Sequence, residues 1–156
     1  MTENEKESDT MSQLQHARSF RDLIAYQKAR AVAKRVFEVT RSFPREEMYS
    51  LTDQARRSSR SVGAQIAEAW AKRRYEKHFV SKLTDADGEQ QETQHWIDTA
   101  ADCGYLTEED VRSLNSGLAE IGRMLNSMIE KADSFCGEPP FTLRESAVDY
   151  FTTTDD

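Results

Sequence analysis

The sequence has little that would interrupt a helix, with three prolines and six glycines among 156 residues. Its two cysteines, Cys103 and Cys136, lack the close spacing of a metal site, and whether they ever pair is left open. No run approaches the ~18 apolar residues that cross a bilayer, and the polar start "MTENEKESDTMSQ" lacks the apolar core of a secretory signal. These absences favour a cytoplasmic, reduced protein with no membrane partner.

Charge is distributed unevenly along the chain. Residues 18–82 hold 16 Lys/Arg against 7 Asp/Glu, a net +9, whereas residues 83–156 hold 4 against 17, a net −13. The overall net charge of −7 conceals this division. Two explanations stay open: basic helices lie beside acidic ones and neutralise them, or part of the basic half binds a polyanion.

Three segments match the capping box of a helix start, in which Ser or Thr precedes an acidic residue by three positions: Ser19–Asp22, Ser50–Asp53 and Thr107–Asp110. A further helix is expected to begin near Tyr75 or Glu76 and to end at Gly104, a typical C-cap residue. The first helix should end before Pro44, because the residue ahead of a proline avoids helical geometry.

Apolar or small residues recur at steps of three and four behind each start, which indicates amphipathic helices. The four stripes are Leu23, Tyr26, Ala29, Ala33, Val36 and Thr40; Leu51, Ala55, Ser58, Val62, Ile66 and Ala69; Phe79, Leu83, Ala86, Gln90, Thr93, Ile97 and Ala100; and Val111, Leu114, Leu118, Ile121, Leu125 and Met128. No segment alternates with period two. The sequence therefore predicts an all-α protein, an antiparallel up-down four-helix bundle over residues 18–136.

Two segments flank the predicted bundle. Residues 1–17 are polar and charged, which predicts a disordered arm. Residues 137–156 form an acidic tail that also carries apolar residues able to dock: Phe141, Leu143, Val148, Tyr150 and Phe151. The tail could lie in a groove of its own bundle, bind a neighbour or stay free.

The outer side of the second helix is cationic at its start and small towards its end. Alanine can be present only as a good helix former, but a glycine costs ~1 kcal/mol there and favours a packing role. We therefore expect a second copy of the chain to pack on this side, which predicts a homo-oligomer. The candidate interface residues are Gly63, Ala64, Ala67, Trp70 and Ala71.

Positive charge continues beyond the second helix. Cations at a helix C-terminus are favoured by the helix dipole alone, which accounts for some of them. The others could contact phosphates without reading sequence. The candidate nucleic-acid-binding residues are Arg56, Arg57, Arg60, Lys72, Arg73 and Arg74.

One sequence pattern is of the kind found in metal-dependent enzymes. Glu92 and His95 form the Glu-x-x-His element that di-iron helical bundles use twice, but the fourth helix offers Glu120 followed by Arg123 instead. No nucleophile motif or Gly-rich phosphate loop is present. We expect no catalysis, no metal, no cofactor and no small-molecule substrate, with Glu92 and His95 at the surface, at an interface or paired near the helix seam.

Four stretches together resemble a known family. They are "FRDLIAYQKA" (Phe20–Ala29), "SFPREEMYSLTDQARRSS" (Ser42–Ser59), "SVGAQIAEAW" (Ser61–Trp70) and "GYL" (Gly104–Leu106). From roughly Phe20 to Phe135 the chain resembles the proteins encoded in intervening sequences of large-subunit ribosomal RNA genes. This family includes the accessory variability protein of diversity-generating retroelements. The resemblance implies an up-down bundle assembled as a ring-shaped homo-pentamer. For the retroelement members it also implies binding to nucleic acid and to a reverse transcriptase.

Two functional hypotheses follow. The first is a non-enzymatic, homo-oligomeric adaptor that binds RNA, DNA or a ribonucleoprotein partner through basic residues of the second helix. The alternative is a protein–protein interaction scaffold that binds no nucleic acid and uses its acidic half or its tail.

Overall fold

The computed structural model describes residues 2–5 and 17–137, and the regular elements within these ranges are helical. Four long helices are α1 (Ile24–Thr40), α2 (Asp53–Ala71), α3 (Glu76–Asp102) and α4 (Glu108–Glu130), followed by the short α5 (Ala132–Phe135). Most of the predicted arm (1–17) and of the acidic tail (137–156) lies outside the described residues. None of the helices in the described ranges combines the length and the apolar character that crossing a membrane requires.

Of the three predicted helix starts, the one at Thr107 is confirmed, and the one at Ser19 has its capping box but not the predicted position of the helix. The Ser19 side chain and the Asp22 carboxylate cap each other's backbone, although they start a 3-10 turn and α1 itself begins at Ile24. At the start of α4, the Thr107 hydroxyl accepts a hydrogen bond from the Asp110 amide at 3.1 Å. Gly104, with φ of 75°, takes the left-handed conformation expected of a residue that ends a helix.

The third predicted start, at Ser50, is wrong. Ser50 lies inside a π-helical turn, Met48–Thr52, which leads directly into α2. Its hydroxyl donates to the Glu47 carbonyl and caps no amide of α2. Because the backbone is already helical before Ser50, the first amides of α2 have carbonyl partners in the preceding turn. The wider turn also buries Leu51 and Thr52 side by side.

Helices α1 and α4 run in opposite directions. Lys28 of α1 forms an ion pair with Glu120 of α4, and Arg35, two turns further along α1, pairs with Asp110, nearly three turns earlier in α4. These two pairs also join the basic half of the chain to its acidic half. The neutralising explanation for the uneven charge therefore holds for this part of α1.

Helices α2 and α3 are antiparallel as well. Near the start of α2, the Thr93 hydroxyl lies 2.9 Å from that of Ser58, and near its end Glu68 pairs with Lys82 at 3.0 Å. Helix α2 also packs on α1, and α3 on α4. Each long helix thus contacts two others, and the four pack together around a shared interior.

The predicted stripes face the interior of this bundle. Their buried members include Ala29 and Val36 of α1 and the listed stripes of α2 and α3 in full; of the α4 stripe, only Val111 is half-buried. Two polar members, Ser58 and Thr93, satisfy each other's hydroxyl groups in the core. Helical periodicity therefore identified most of the core, although it missed Ala25 and Phe43 and included Tyr26 and Ala33, which are half-buried.

A tight contact between α3 and α4 leads to a stability prediction. A Cβ atom at Gly122 would lie 2.7 Å from the amide nitrogen of buried Gln90, and that amide is bonded to Asp87 at 2.9 Å. Gly122→Ala should therefore lower the free energy of unfolding by about 1–3 kcal/mol through overpacking. Gly88 of α3 has no neighbour within 4 Å, so Gly88→Ala should raise it by up to about 1 kcal/mol.

Urea denaturation followed by circular dichroism measures both effects on unfolding. Equal stability changes of the same sign in the two variants would contradict the packing of Gln90 against Gly122.

Candidate nucleic-acid interface

Three arginines surround one aromatic ring where α1 and α2 meet at the surface. The guanidinium carbons of Arg41, Arg56 and Arg60 lie 5.9, 4.8 and 5.7 Å from the ring centroid of Phe37. All three distances are within the ~6 Å range of cation–π attraction. Phe37 is 39 % exposed, so the ring and its cations form part of the solvent-facing surface. We call Phe37, Arg41, Arg56 and Arg60 the arginine–phenylalanine cluster.

One member of the cluster is fixed in place by the core. The Arg56 Nε–H donates to the Thr40 hydroxyl at 2.9 Å, and this hydroxyl in turn donates to the Val36 carbonyl at 2.8 Å. Thr40 is only 2 % exposed, so it is a rigid anchor. Arg56 is thereby held beside Phe37, while its terminal NH₂ groups have no hydrogen-bond partner in the described part of the chain.

The cluster carries charge that the fold does not neutralise. The ion pairs found among residues 2–5 and 17–137 involve Lys28, Arg35 and Lys82, and none involves a cluster arginine. Because each cluster guanidinium lies within 5.9 Å of the same centroid, three positive charges are concentrated on a small surface. An anion placed there would relieve their mutual repulsion.

A second basic group lies at the connection between α2 and α3. Arg73 is stacked over Trp70 at 4.0 Å and donates to the Trp70 carbonyl at 2.8 Å, so it caps the C-terminal end of α2. Lys72 and Arg74 beside it are exposed. At 1.5 Å per residue, Arg60 and Arg73 are about 20 Å apart along α2.

The structure therefore divides the six predicted nucleic-acid-binding residues between two places. Arg56 and Arg60 belong to the arginine–phenylalanine cluster, and Arg57 is exposed near them. Lys72, Arg73 and Arg74 form the second group. Phe37 and Arg41 were missed because they lie on the first helix. The available signal was the spacing of the two, four residues apart and off the apolar stripe.

The small residues of α2 lie between the two basic groups. With Tyr26 and Arg30 of α1, Gly63, Ala64 and Ala67 line a groove of about 380 Å³. Gly63 is buried, and a Cβ atom there would lie 3.6 Å from the Tyr26 ring of the same chain. That distance is an ordinary van der Waals contact, so packing does not require a glycine at this position, and Gly63 already has its neighbours within the chain. Gly63 is therefore not evidence for a second copy.

The other predicted interface residues differ in exposure. Trp70 is half-buried and packs against the core, and Ala67 is half-buried in the groove. Ala64 and Ala71 are exposed on the outer side of α2. These two alanines and Ala67 are the residues that a neighbouring molecule could reach.

The side formed by α3 and α4 is polar and carries many carboxylates. A groove of about 520 Å³ between these helices is lined by residues that include Asp87, Gln90, Asp98 and Arg123. Burial and the neighbouring Glu92 carboxylate raise the pKa of Glu89.

Glu92 and His95, the residues of the Glu-x-x-His element, are both exposed on α3. Within the described ranges, no three His, Cys, Asp or Glu side chains come together as a metal site would require.

Comparison with known proteins identifies a family and a similar solved structure. Residues 21–127 match the family model described as 23S rRNA-intervening sequence protein. The chain is also similar to the crystal structure of a protein of unknown function from the S23 ribosomal protein family of Bacteroides thetaiotaomicron. The identity to it is 29 % and the TM-score 0.63, covering 69 % of this chain and 96 % of that one. No curated protein matches the sequence.

Proposed function

Because the chain belongs to the family of 23S rRNA-intervening sequence proteins, we propose that it is a non-enzymatic, homo-oligomeric four-helix-bundle adaptor. It binds nucleic acid, or a ribonucleoprotein partner such as a reverse transcriptase, through the basic face of α1 and α2. The observation that carries the proposal is the arginine–phenylalanine cluster, in which two exposed guanidinium groups and a half-buried one have no carboxylate partner in the described chain.

The chemistry of the cluster suits phosphate. A guanidinium group presents a planar fork of N–H donors that matches two phosphate oxygens, and it stays charged at any physiological pH. Such contacts hold a nucleic acid in place without reading its sequence. Lys72, Arg73 and Arg74 extend the basic face along α2, so one strand could follow both groups.

The distribution of charge orients the partner. Exposed carboxylates concentrate on α3 and α4, where they repel a polyanion, whereas Lys28 and Arg35 of α1 are already paired with α4. The field of the folded protein therefore directs a polyanion to the side that carries the cluster. A chain with a negative net charge can bind nucleic acid in this way.

The direct test is binding of fluorescently labelled RNA and DNA, measured by anisotropy at low salt. The proposal expects binding that weakens as salt is added, since phosphate contacts release counterions. The alternative, an interaction scaffold, is favoured by the exposed acidic side of α3 and α4. It requires no binding to either nucleic acid even at low salt, and that result would refute the first proposal.

Assembly is a separate prediction. The exposed alanines of α2 would let a second copy approach closely, and the family resemblance implies a ring of five chains. Light scattering should give a mass that is a multiple of 17.9 kDa. The double variant Ala64→Glu/Ala71→Glu should shift the protein towards the monomer, because it places carboxylates in a close contact.

Ser116→Glu provides the matched control, since it adds a carboxylate at an exposed position of α4. It should leave the mass unchanged. A wild-type protein that stays monomeric at high concentration would overturn the assembly proposal.

A further inference from the structure

We infer that the arginine–phenylalanine cluster selects single-stranded over double-stranded nucleic acid, with an unpaired base stacked at Phe37 and the adjoining phosphates on the surrounding arginines. This rests on the proposed function and names the ligand class of the same site. Nothing in the family match assigns Phe37 a role.

The position of Phe37 is the first argument. Its neighbours Val36 and Thr40 supply the buried stripe of α1, so Phe37 is not needed for the core. A helix surface at such a position ordinarily carries a polar residue, since an exposed aromatic ring gains little from folding. A surface phenylalanine at the centre of three cations instead suits a ligand that has both an aromatic face and negative charge.

The chemistry of a nucleotide fits that description. An unpaired base offers a flat face that stacks on aromatic rings or on guanidinium planes, and its phosphates accept hydrogen bonds from arginine. In a duplex the base faces are already stacked on one another, and only phosphates and groove edges are accessible. The phosphates of a duplex can therefore contact the cluster arginines, but its bases cannot stack on the Phe37 ring.

The geometry of the arginines separates base stacking from phosphate binding. Arg56 lies over the Phe37 ring at 4.8 Å and is held there by the buried Thr40 hydroxyl, so a base meets the ring and this fixed guanidinium together. Arg41 and Arg60 stand at 5.9 and 5.7 Å from the centroid and are exposed, so they can move onto phosphates on either side of a stacked base. The site thus has a prepared stacking surface with adjustable charge around it.

The test compares one labelled RNA oligonucleotide as a single strand and annealed to its complement, both by anisotropy at one low salt concentration. Wild type should bind the single strand more tightly. Phe37→Leu keeps an apolar side chain but removes the ring, and it should weaken single-strand binding about tenfold while duplex affinity changes less than about twofold. Phe37→Tyr keeps an aromatic ring and should therefore bind the single strand as tightly as wild type.

Tyr49→Leu is the matched control, because it removes a 91 % exposed aromatic ring elsewhere in the chain. It should leave both affinities unchanged. Equal wild-type affinity for the two forms, or an equal loss for both in Phe37→Leu, would overturn this inference and leave the proposed function standing. Absence of binding to either form would overturn the proposed function itself.

Discussion

Reversing the charge of Arg56 and Arg60 together is expected to weaken RNA binding by about 100-fold or more at low salt. Each arginine would otherwise offer charge-assisted hydrogen bonds to phosphate, worth about 1.5–3 kcal/mol each. Two glutamates in their place remove these bonds and repel the polyanion. Anisotropy titration of the double variant Arg56→Glu/Arg60→Glu beside wild type measures the loss.

The matched control reverses the charge of two arginines on a helix that carries no residue of the cluster. Arg112→Glu/Arg123→Glu makes the same change in net charge on α4, where both side chains are exposed. Compared with wild type at about 0.1 M salt, where the Debye length is about 10 Å, it should reduce affinity by less than about threefold. An equal loss in both double variants would mean that net charge alone governs binding and would contradict an assigned site.

Folding of the first variant has to be controlled separately. Arg56→Glu also removes the bond to Thr40, which costs about 1 kcal/mol of stability by the usual worth of a hydrogen bond. Arg60→Glu alone removes no such bond, because Arg60 is exposed and contacts the Phe37 ring without a hydrogen bond from its side chain. This single variant should keep wild-type helicity and still lose about tenfold in affinity.

Phe79→Ala is expected to lower the free energy of unfolding by about 3–5 kcal/mol. Phe79 lies in the first turn of α3, is 0 % exposed and is stacked on Phe135 of α5 at 5.4 Å between ring centroids. Removing the ring leaves a cavity beneath α5 and exposes the end of the core. Since small domains are stable by only about 5–15 kcal/mol, the loss is a large share of the total.

Phe37→Ala is the natural comparison for Phe79→Ala. It deletes the same ring from a position that is 39 % exposed, so the loss of stability should stay below about 1.5 kcal/mol. Urea denaturation followed by circular dichroism at a single temperature measures both variants. Similar losses at the two positions would contradict the assignment of Phe79 to the core and of Phe37 to the surface.

The sequence predicted the buried residues better than it predicted the contacts at the surface. Burial depends on which residues share a helix face, and this follows from their spacing. The predicted core positions of Ile66, Leu83 and Ile97 are therefore confirmed. The helix start at Ser50 was misplaced because its capping-box pattern occurs inside a π-helical turn. A local pattern does not reveal that the preceding residues are already helical.

Contacts between surface residues of different helices could be identified only from the tertiary structure. Gly63 is buried against Tyr26 of α1, a neighbour that the helical wheel of α2 could not identify. In the same way, Arg56 and Arg60 were chosen from α2 alone, whereas Phe37 and Arg41 join them only when α1 lies alongside. Contacts between helices depend on how the helices are rotated against each other, and residue spacing within one helix does not determine that.

The central claim is that this basic face binds nucleic acid through phosphate contacts, and the salt dependence of wild-type RNA binding tests it most directly. Three cluster arginines on a single strand predict a plot of log K against log salt with a slope near about −2, steeper if the second basic group also engages. In Arg56→Glu/Arg60→Glu the slope should be shallower by more than about 1. A wild-type affinity that does not change between low and high salt would contradict the account.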